Sequence, residues 1–412
     1  MSRTLKVALT ALLVALPLAG RIAGKHGGNA VVLETDLVSN VPGLIDGNGI
    51  VHNAFTTDAN LVNPWGITAG PMSPFWIADN NAGVSTLYNV PPSGSPPVSI
   101  LSRVVRIPSP GDPLGRTGTP TGVVFNTAAG AGGFKVKGVN SGGNATSAAA
   151  AFIFATEDGT IVGWNPTVNP PGFSASLASN YGIIAVDHSA IPTAAAGAVY
   201  KGLAIATDAS GSTFLFTTNF RAGTIEVYDV NFDPVTNLPA SAFVDPHLPN
   251  GYAPFNVGVI TGKLFVTFAV QNQERHDDVA GAGNGIVDTF DLSGNNLHPF
   301  ATGGALNSPW GLALAPSGFG ELSGKLLIGN FGDGKINAFD PVTGGTSVAL
   351  NKPCVAPCTP QPVVIDGLWA LKFGNGPPPP APPTTMGGST QTLYFTAGPN
   401  HEADGLFGAL SP

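Results

Sequence analysis

The feature that most constrains this chain is an internal repeat. Residues 308–341, SPWGLALAPSGFGELSGKLLIGNFGDGKINAFDP, open on Pro309, Trp310 and Gly311 and run straight into an alternating apolar stretch. A Gly/Ser/Pro loop leads to a second apolar run at 326–330, and a tight turn at Gly332, Asp333 and Gly334 leads to a third at 336–340. Apolar residues at period two, broken by Gly/Asp turns, are the mark of hairpin-linked strands. The same plan starts at Gly66, Gly122, Gly202, Asn256, Gly311 and Trp369, with spacings of 56, 80, 54, 55 and 58 residues. Only the second interval is stretched, by segments rich in Gly, Ala, Ser and Pro at 128–151 and 166–180.

A unit of this length with up to four antiparallel strands cannot bury both of its faces alone, so neighbouring units must stack. The expected fold is all-β: a six-bladed β-propeller of four-stranded antiparallel blades. Second strands are expected near Phe75, Phe152, Phe214, Leu264, Leu326 and Leu393, and third strands near Ser85, Thr160, Thr224, Ile286, Ile336 and Leu406. Fourth strands are weaker in pattern, with 98–105 and 242–244 as candidates. The last repeat reaches Pro412 after only three strands, while residues 31–38 (VVLETDLV) precede the first repeat without a partner. That segment is expected to close the last blade and protect a sheet edge.

Charged residues make up 10% of the chain, and 17 Lys+Arg against a net charge of −8 leave no basic stripe for nucleic acid and no polybasic membrane patch. Residues 1–24 read as a signal peptide: Arg3 and Lys6 precede an apolar run at 7–19, and small residues follow at Ala19, Gly20, Ala23 and Gly24. The run is too short for a comfortable membrane span. The expectation is a secreted or periplasmic protein, monomeric, with residues 25–412 forming one propeller domain. Cys354 and Cys358 flank a Pro-containing loop, and a small-loop disulfide fits an exported chain better than a two-cysteine metal site.

Several long motifs resemble those of a bacterial family of exported β-propellers that has no assigned reaction. They are NLVNPWGI, FWIADNNAGVSTLYN, YAPFNV, HDDVAGAGNGIVDTFD, GNFGDGKINAFDP, IDGLWAL and GPNHEADGLFG, and the resemblance covers roughly 31–410. More distantly the chain is similar to NHL-repeat and gluconolactonase-type propellers. The resemblance implies the fold and export. The gluconolactonase type holds a divalent cation through carboxylate and Asn ligands in its channel, but no ligand matches position by position here.

Strand parity places the strand starts and the acidic turns at one end of the ring. Candidate ligand-facing residues there are Asn63, Trp65, Asp79, Glu157, Asp158, Lys201, Asn256, Asn307, Trp310, Asp333 and Asp366. Asp and Asn beside Gly also serve tight turns, which is the plainer reading of Asp79, Asp158 and Asp333. Core packing between blades is likewise the plainer reading of Trp65 and Trp310. Two loops exceed what a turn needs. One carries His276, Asp277 and Asp278; the other carries His401, Glu402 and Asp404. Together they could hold Ca²⁺ or another divalent cation, provided that both loops bend to the axis.

No nucleophile elbow, H-E-x-x-H, phosphate-binding loop or dinucleotide fingerprint is present in the sequence. Three readings therefore stand. The first is a binding propeller that takes a small molecule, glycan or protein on the acidic face. The second is a metal-dependent hydrolase of lactonase type, and the third a structural envelope protein.

Overall fold

Six antiparallel sheets succeed one another along the chain and ring a common axis in the computed structural model, which describes residues 30–91, 97–173, 180–354, 357–376 and 386–412. The expected signal peptide and the proline run at 377–383 lie outside these residues. The inner strands are Pro64–Thr68, Pro120–Phe125, Tyr200–Thr207, Tyr252–Ile260, Pro309–Leu314 and Leu368–Phe373. The second strands, in the same order, are Phe75–Asp79, Phe152–Thr156, Thr213–Asn219, Lys263–Val270, Leu326–Asn330 and Leu393–Ala397. The third are Val84–Asn89, Thr160–Trp164, Thr224–Tyr228, Ile286–Phe290, Ile336–Asp340 and Leu406–Ser411. Second strands are apolar on both faces because each blade is covered on both sides by its neighbours; Phe75, Ile153, Leu215, Val266, Ile328 and Phe395 are all fully buried.

Every inner strand carries the same one-residue bulge. Pro64 pairs with Asp79 but Ile67 with Ile77, and equivalent shifts follow Pro120, Tyr200, Pro254, Pro309 and Leu368. A bulge re-aims the residue it frees. In chain order the residue after the first pair is Trp65, Thr121, Lys201, Phe255, Trp310 and Trp369. The alignment of Trp369 with Gly66 expected from sequence is thus one residue out, and its structural equivalents are Trp65 and Trp310. The next position is Gly in four blades because inner strands touch there. A Cβ on Gly66 would meet the Thr121 carbonyl oxygen at 2.4 Å, and one on Gly122 would meet the Leu203 nitrogen at 2.7 Å.

Leu33–Ser39 pairs antiparallel with Leu406–Ser411, so an N-terminal strand does close the last blade, with Thr56–Thr57 added in parallel outside it. Fourth strands also form at Ser99–Ile100, Ile183–Asp187, His298–Thr302 and Gly344–Ala349. The third blade departs from expectation. Residues 242–244 form no strand, with Ala242 and Phe243 in a turn, and that sheet has three strands. Phe243 takes a left-handed backbone (φ 58°) and wedges its ring against Phe216 and Phe290, so burial of the aromatic outweighs pairing. The Gly/Ala/Ser-rich insertion at 128–151 contains a hairpin of Lys135–Val139 with Ala145–Ala149 that buries Val136. Cys354 and Cys358 are joined by a disulfide.

Candidate binding site

The bulge residues meet across the axis. Trp65 and Trp369 stack with ring centres 3.5 Å apart, and Trp310 stands edge-on to both at 6.2 and 5.8 Å. Phe331 stacks on Trp369 at 3.9 Å, and Phe255 of the fourth blade reaches it at 6.0 Å. Blades 4 and 6 are not neighbours, so these rings can touch only across the channel. They form an aromatic plug in which Trp65, Phe255, Trp310 and Trp369 are almost wholly buried and Phe331 is half-buried. Trp65 and Trp310 therefore pack edge to face against each other, as the plainer reading of the sequence had it.

Lys201 is the one charged residue among the six bulge positions. Its Nζ lies 4.8 Å from the centre of the Trp65 ring and 5.9 Å from that of Phe220. It bonds Glu157 Oε1 directly and lies 3.4 Å from Asp277 Oδ1. Burial disfavours the ammonium, but the charges of Glu157 and Asp277 outweigh it, and the Lys201 pKa is raised. Asn80 donates to the other Glu157 oxygen at 2.8 Å. His276 Nδ1 is 2.8 Å from Asp277 Oδ1 and 3.9 Å from Glu157 Oε1. The hydrogen bond from His276 takes the Asp277 carboxyl down to about 2, against partial burial and with help from Lys201.

Two further carboxylates face this group. Burial raises the pKa of Asp278, and its Oδ2 is buried without a partner. Glu402 comes from the sixth blade. Burial, then the negative charges of Glu157, Asp277 and Asp278, push its pKa up to about 7, with Lys201 pulling the other way. The two acidic loops therefore do converge. Glu402 is carried there by three consecutive left-handed residues, Asn400, His401 and Glu402, at φ 57°, 55° and 68°. That backbone costs about 1–2 kcal/mol per residue, and strain of this kind collects where a site must be held in shape. Asn400 offsets it by accepting no compromise in its own bonds: its N–H donates to Asp366 Oδ2 at 2.9 Å, and its amide donates to Asp404 Oδ2 and the Ile45 carbonyl at 2.8 Å each.

Other expected site residues serve the scaffold. Asp366 and Asp404 hold the strained turn, and each also accepts from the N-terminal loop, from Gly47 and Asn40 respectively, at 2.8 Å. His401 is exposed, and no bond ties it to the cluster. Asp79 is enclosed within the first blade, where it accepts from the Thr86 N–H at 2.9 Å. Asp158 accepts from the Thr119 N–H at 2.7 Å, and Asp333 pairs with Lys335 inside its own turn at 3.0 Å. Asn63 accepts from Trp369 Nε1 at 3.0 Å, Asn256 donates to the Trp310 carbonyl at 2.6 Å, and Asn307 accepts from the Gly281 N–H at 2.7 Å. These three stitch blades and loops together. Asn80 and Phe220 went unnoticed in the sequence, where they read as ordinary turn and strand-end residues.

Glu157, His276 and Asp277 each offer a ligand atom within 4.8 Å of the others, a spacing that could hold a metal ion. The Lys201 ammonium already bonds two of the three, so a divalent cation would face a buried positive charge at close range. The Nε1 atoms of Trp65 and Trp310 and Asp278 Oδ2 are buried polar atoms without partners, and the Ser308 hydroxyl beside Asp278 acts to lower that carboxyl's pKa.

No family model matches the chain. An uncharacterised protein of Acanthamoeba polyphaga mimivirus is 30% identical over 370 residues, which is 87% of this chain and 77% of the viral protein. A second from the same virus is 30% identical over 358 residues, 86% of this chain and 81% of its own length. These relatives are viral, where the motif resemblance had implied bacterial ones. Among solved structures, the chain is similar to a virginiamycin B lyase from Staphylococcus aureus at 11% identity and a TM-score of 0.42, covering 92% of this chain and 99% of that one. It is also similar to a glucose dehydrogenase at 12% identity and a TM-score of 0.47, covering 86% and 97%.

Proposed function

This chain belongs to the family of the two mimivirus proteins, and we propose that it acts as a ligand-binding propeller whose acidic pocket takes a small organic ammonium ion. One observation carries the reading. Four carboxylates from three blades, Glu157, Asp277, Asp278 and Glu402, surround a single lysine. Burial first, and then repulsion from its negative neighbours, pushes the Glu402 pKa up to about 7, and the one lysine faces more carboxylates than it can neutralise. An N–H-bearing cation would relieve that repulsion and give Asp278 Oδ2 the donor it lacks. The leader-like segment 1–24 supports an exported setting, in which the ligand is extracellular.

A metal-dependent hydrolase is the second reading, favoured by the spacing of Glu157, His276 and Asp277. In that case Lys201 must be displaced from Glu157, which costs a buried ion pair.

Titration calorimetry with spermidine and glucosamine, against neutral N-acetylglucosamine, tests the first reading. The cationic ligands should bind with one site per chain, the neutral sugar should not, and Glu157→Gln or Glu402→Gln should weaken binding at least tenfold. Stoichiometric Ca²⁺ or Zn²⁺ in the purified protein, lost on chelation and with no affinity for either amine, would replace this reading with the second.

A further inference from the structure

Beyond the tryptophan plug, toward the opposite face, the channel widens into a cavity of about 730 Å³. That lies within the usual range of small-molecule sites, about 300–1,000 Å³. Its wall is apolar, with Ile67, Val123, Leu203, Val257, Leu312 and Leu371 at one level of the ring. Its floor includes Trp310.

One level further out stands Lys372, the only ionisable residue lining this cavity among the described residues. At the same level the other five blades carry Thr68, Val124, Ala204, Gly258 and Ala313. No acid faces the ammonium. The half-buried side chain of Lys372 makes no hydrogen bond or ion pair to any described residue, and desolvation lowers its pKa. An unpaired lysine facing an apolar cavity is costly unless something arrives to pair with it.

We propose that this channel binds the hydrocarbon chain of an aliphatic carboxylic acid, with the carboxylate paired to Lys372 and the tail directed toward the tryptophan plug. The apolar wall matches the tail, and the lone ammonium matches the head in charge and in hydrogen-bonding capacity. A carboxylate would also restore the counter-charge that the surrounding blades withhold. The site lies across the plug from the acidic pocket and stands or falls separately from it.

The test is equilibrium dialysis and calorimetry of the full chain with dodecanoate, alongside dodecanol and dodecyltrimethylammonium. Dodecanoate should bind at one site per chain, and affinity should rise about fourfold per methylene from octanoate to dodecanoate. Lys372→Met should weaken it at least tenfold, Lys372→Arg should restore it to within about threefold, and Glu402→Gln should leave it unchanged. On the unaltered protein, saturating dodecanoate should slow reductive methylation of Lys372 at least fivefold by mass spectrometry. Equal binding of dodecanol, undiminished binding by Lys372→Met, or unprotected methylation of Lys372 would overturn the proposal.

Discussion

Lys201 and Trp65 hold equivalent bulge positions in the third and first blades, and the ammonium of one lies 4.8 Å from the ring centre of the other. A cation over an indole face is attracted by the ring quadrupole, more so when desolvated. With Glu157 on its other side, Lys201 is held by a ring below and a carboxylate above, at the boundary between the aromatic plug and the acidic pocket.

Removing that charge should therefore hurt folding. Lys201→Met leaves Glu157 largely buried without its cation, which should cost about 3–5 kcal/mol in urea unfolding. The double variant Lys201→Met/Glu157→Gln should recover more than half of the loss. If the double variant is as unstable as the single, the pair is not what holds this region.

Glu402 should make ligand capture pH-dependent. With its pKa near 7, it gains negative charge between about pH 6 and 8, so spermidine affinity should rise across that interval. In Glu402→Gln the profile should be flat there. Titrations at pH 6, 7 and 8 decide the matter.

Asp288 is fully buried, and neither carboxylate oxygen has a partner. Burial, with a smaller contribution from Asp245, raises its pKa to about 7. The folded state thus keeps a proton that the unfolded chain releases near pH 4, so stability falls as pH rises between about 4 and 7. Asp288→Asn should be close to neutral at pH 3 and stabilising at pH 8, by at most roughly 4 kcal/mol. An unfolding gap between the two proteins that does not change with pH would refute the assignment.

Removing residues 30–39 should expose the third strand of the last blade. Leu37 and Val38 are buried, and His52 loses its contact with Asp36 at 3.1 Å. Burial of the two side chains alone is worth about 3–6 kcal/mol, so the melting temperature should drop by several degrees or more. An unchanged melt would mean that the ring closes without this strand.

The blades were legible in the sequence because strand period and Gly/Asp turns are local signals, and the six inner-strand starts stood out for that reason. Closure by the N-terminal strand was legible by counting, since one repeat lacked a strand and one strand lacked a repeat. The bulge was not legible: a one-residue shift changes which side chain reaches the axis without disturbing the apolar alternation, and so Trp369 was placed one position out. The acidic loops were identifiable by composition, but not which members would meet. Asp404 and Glu402 lie two residues apart, yet the left-handed turn sends one to the scaffold and the other to the pocket. The cluster of Glu34, Asp36 and His52 was invisible for another reason: a strand and a later hairpin bring these residues together, and no motif spans them.

Leu33 sits opposite Ser411 in the closing sheet, where the two strands run in opposite directions. Tension drawn between these two points would peel the seam one backbone pair at a time, beginning at Leu33 and Ser411, instead of shearing all pairs together. The same adjacency makes the protein a natural candidate for circular permutation. A short linker bridging the two points would turn the seam into continuous chain and move the mechanically weak join to any interblade loop chosen for the new ends.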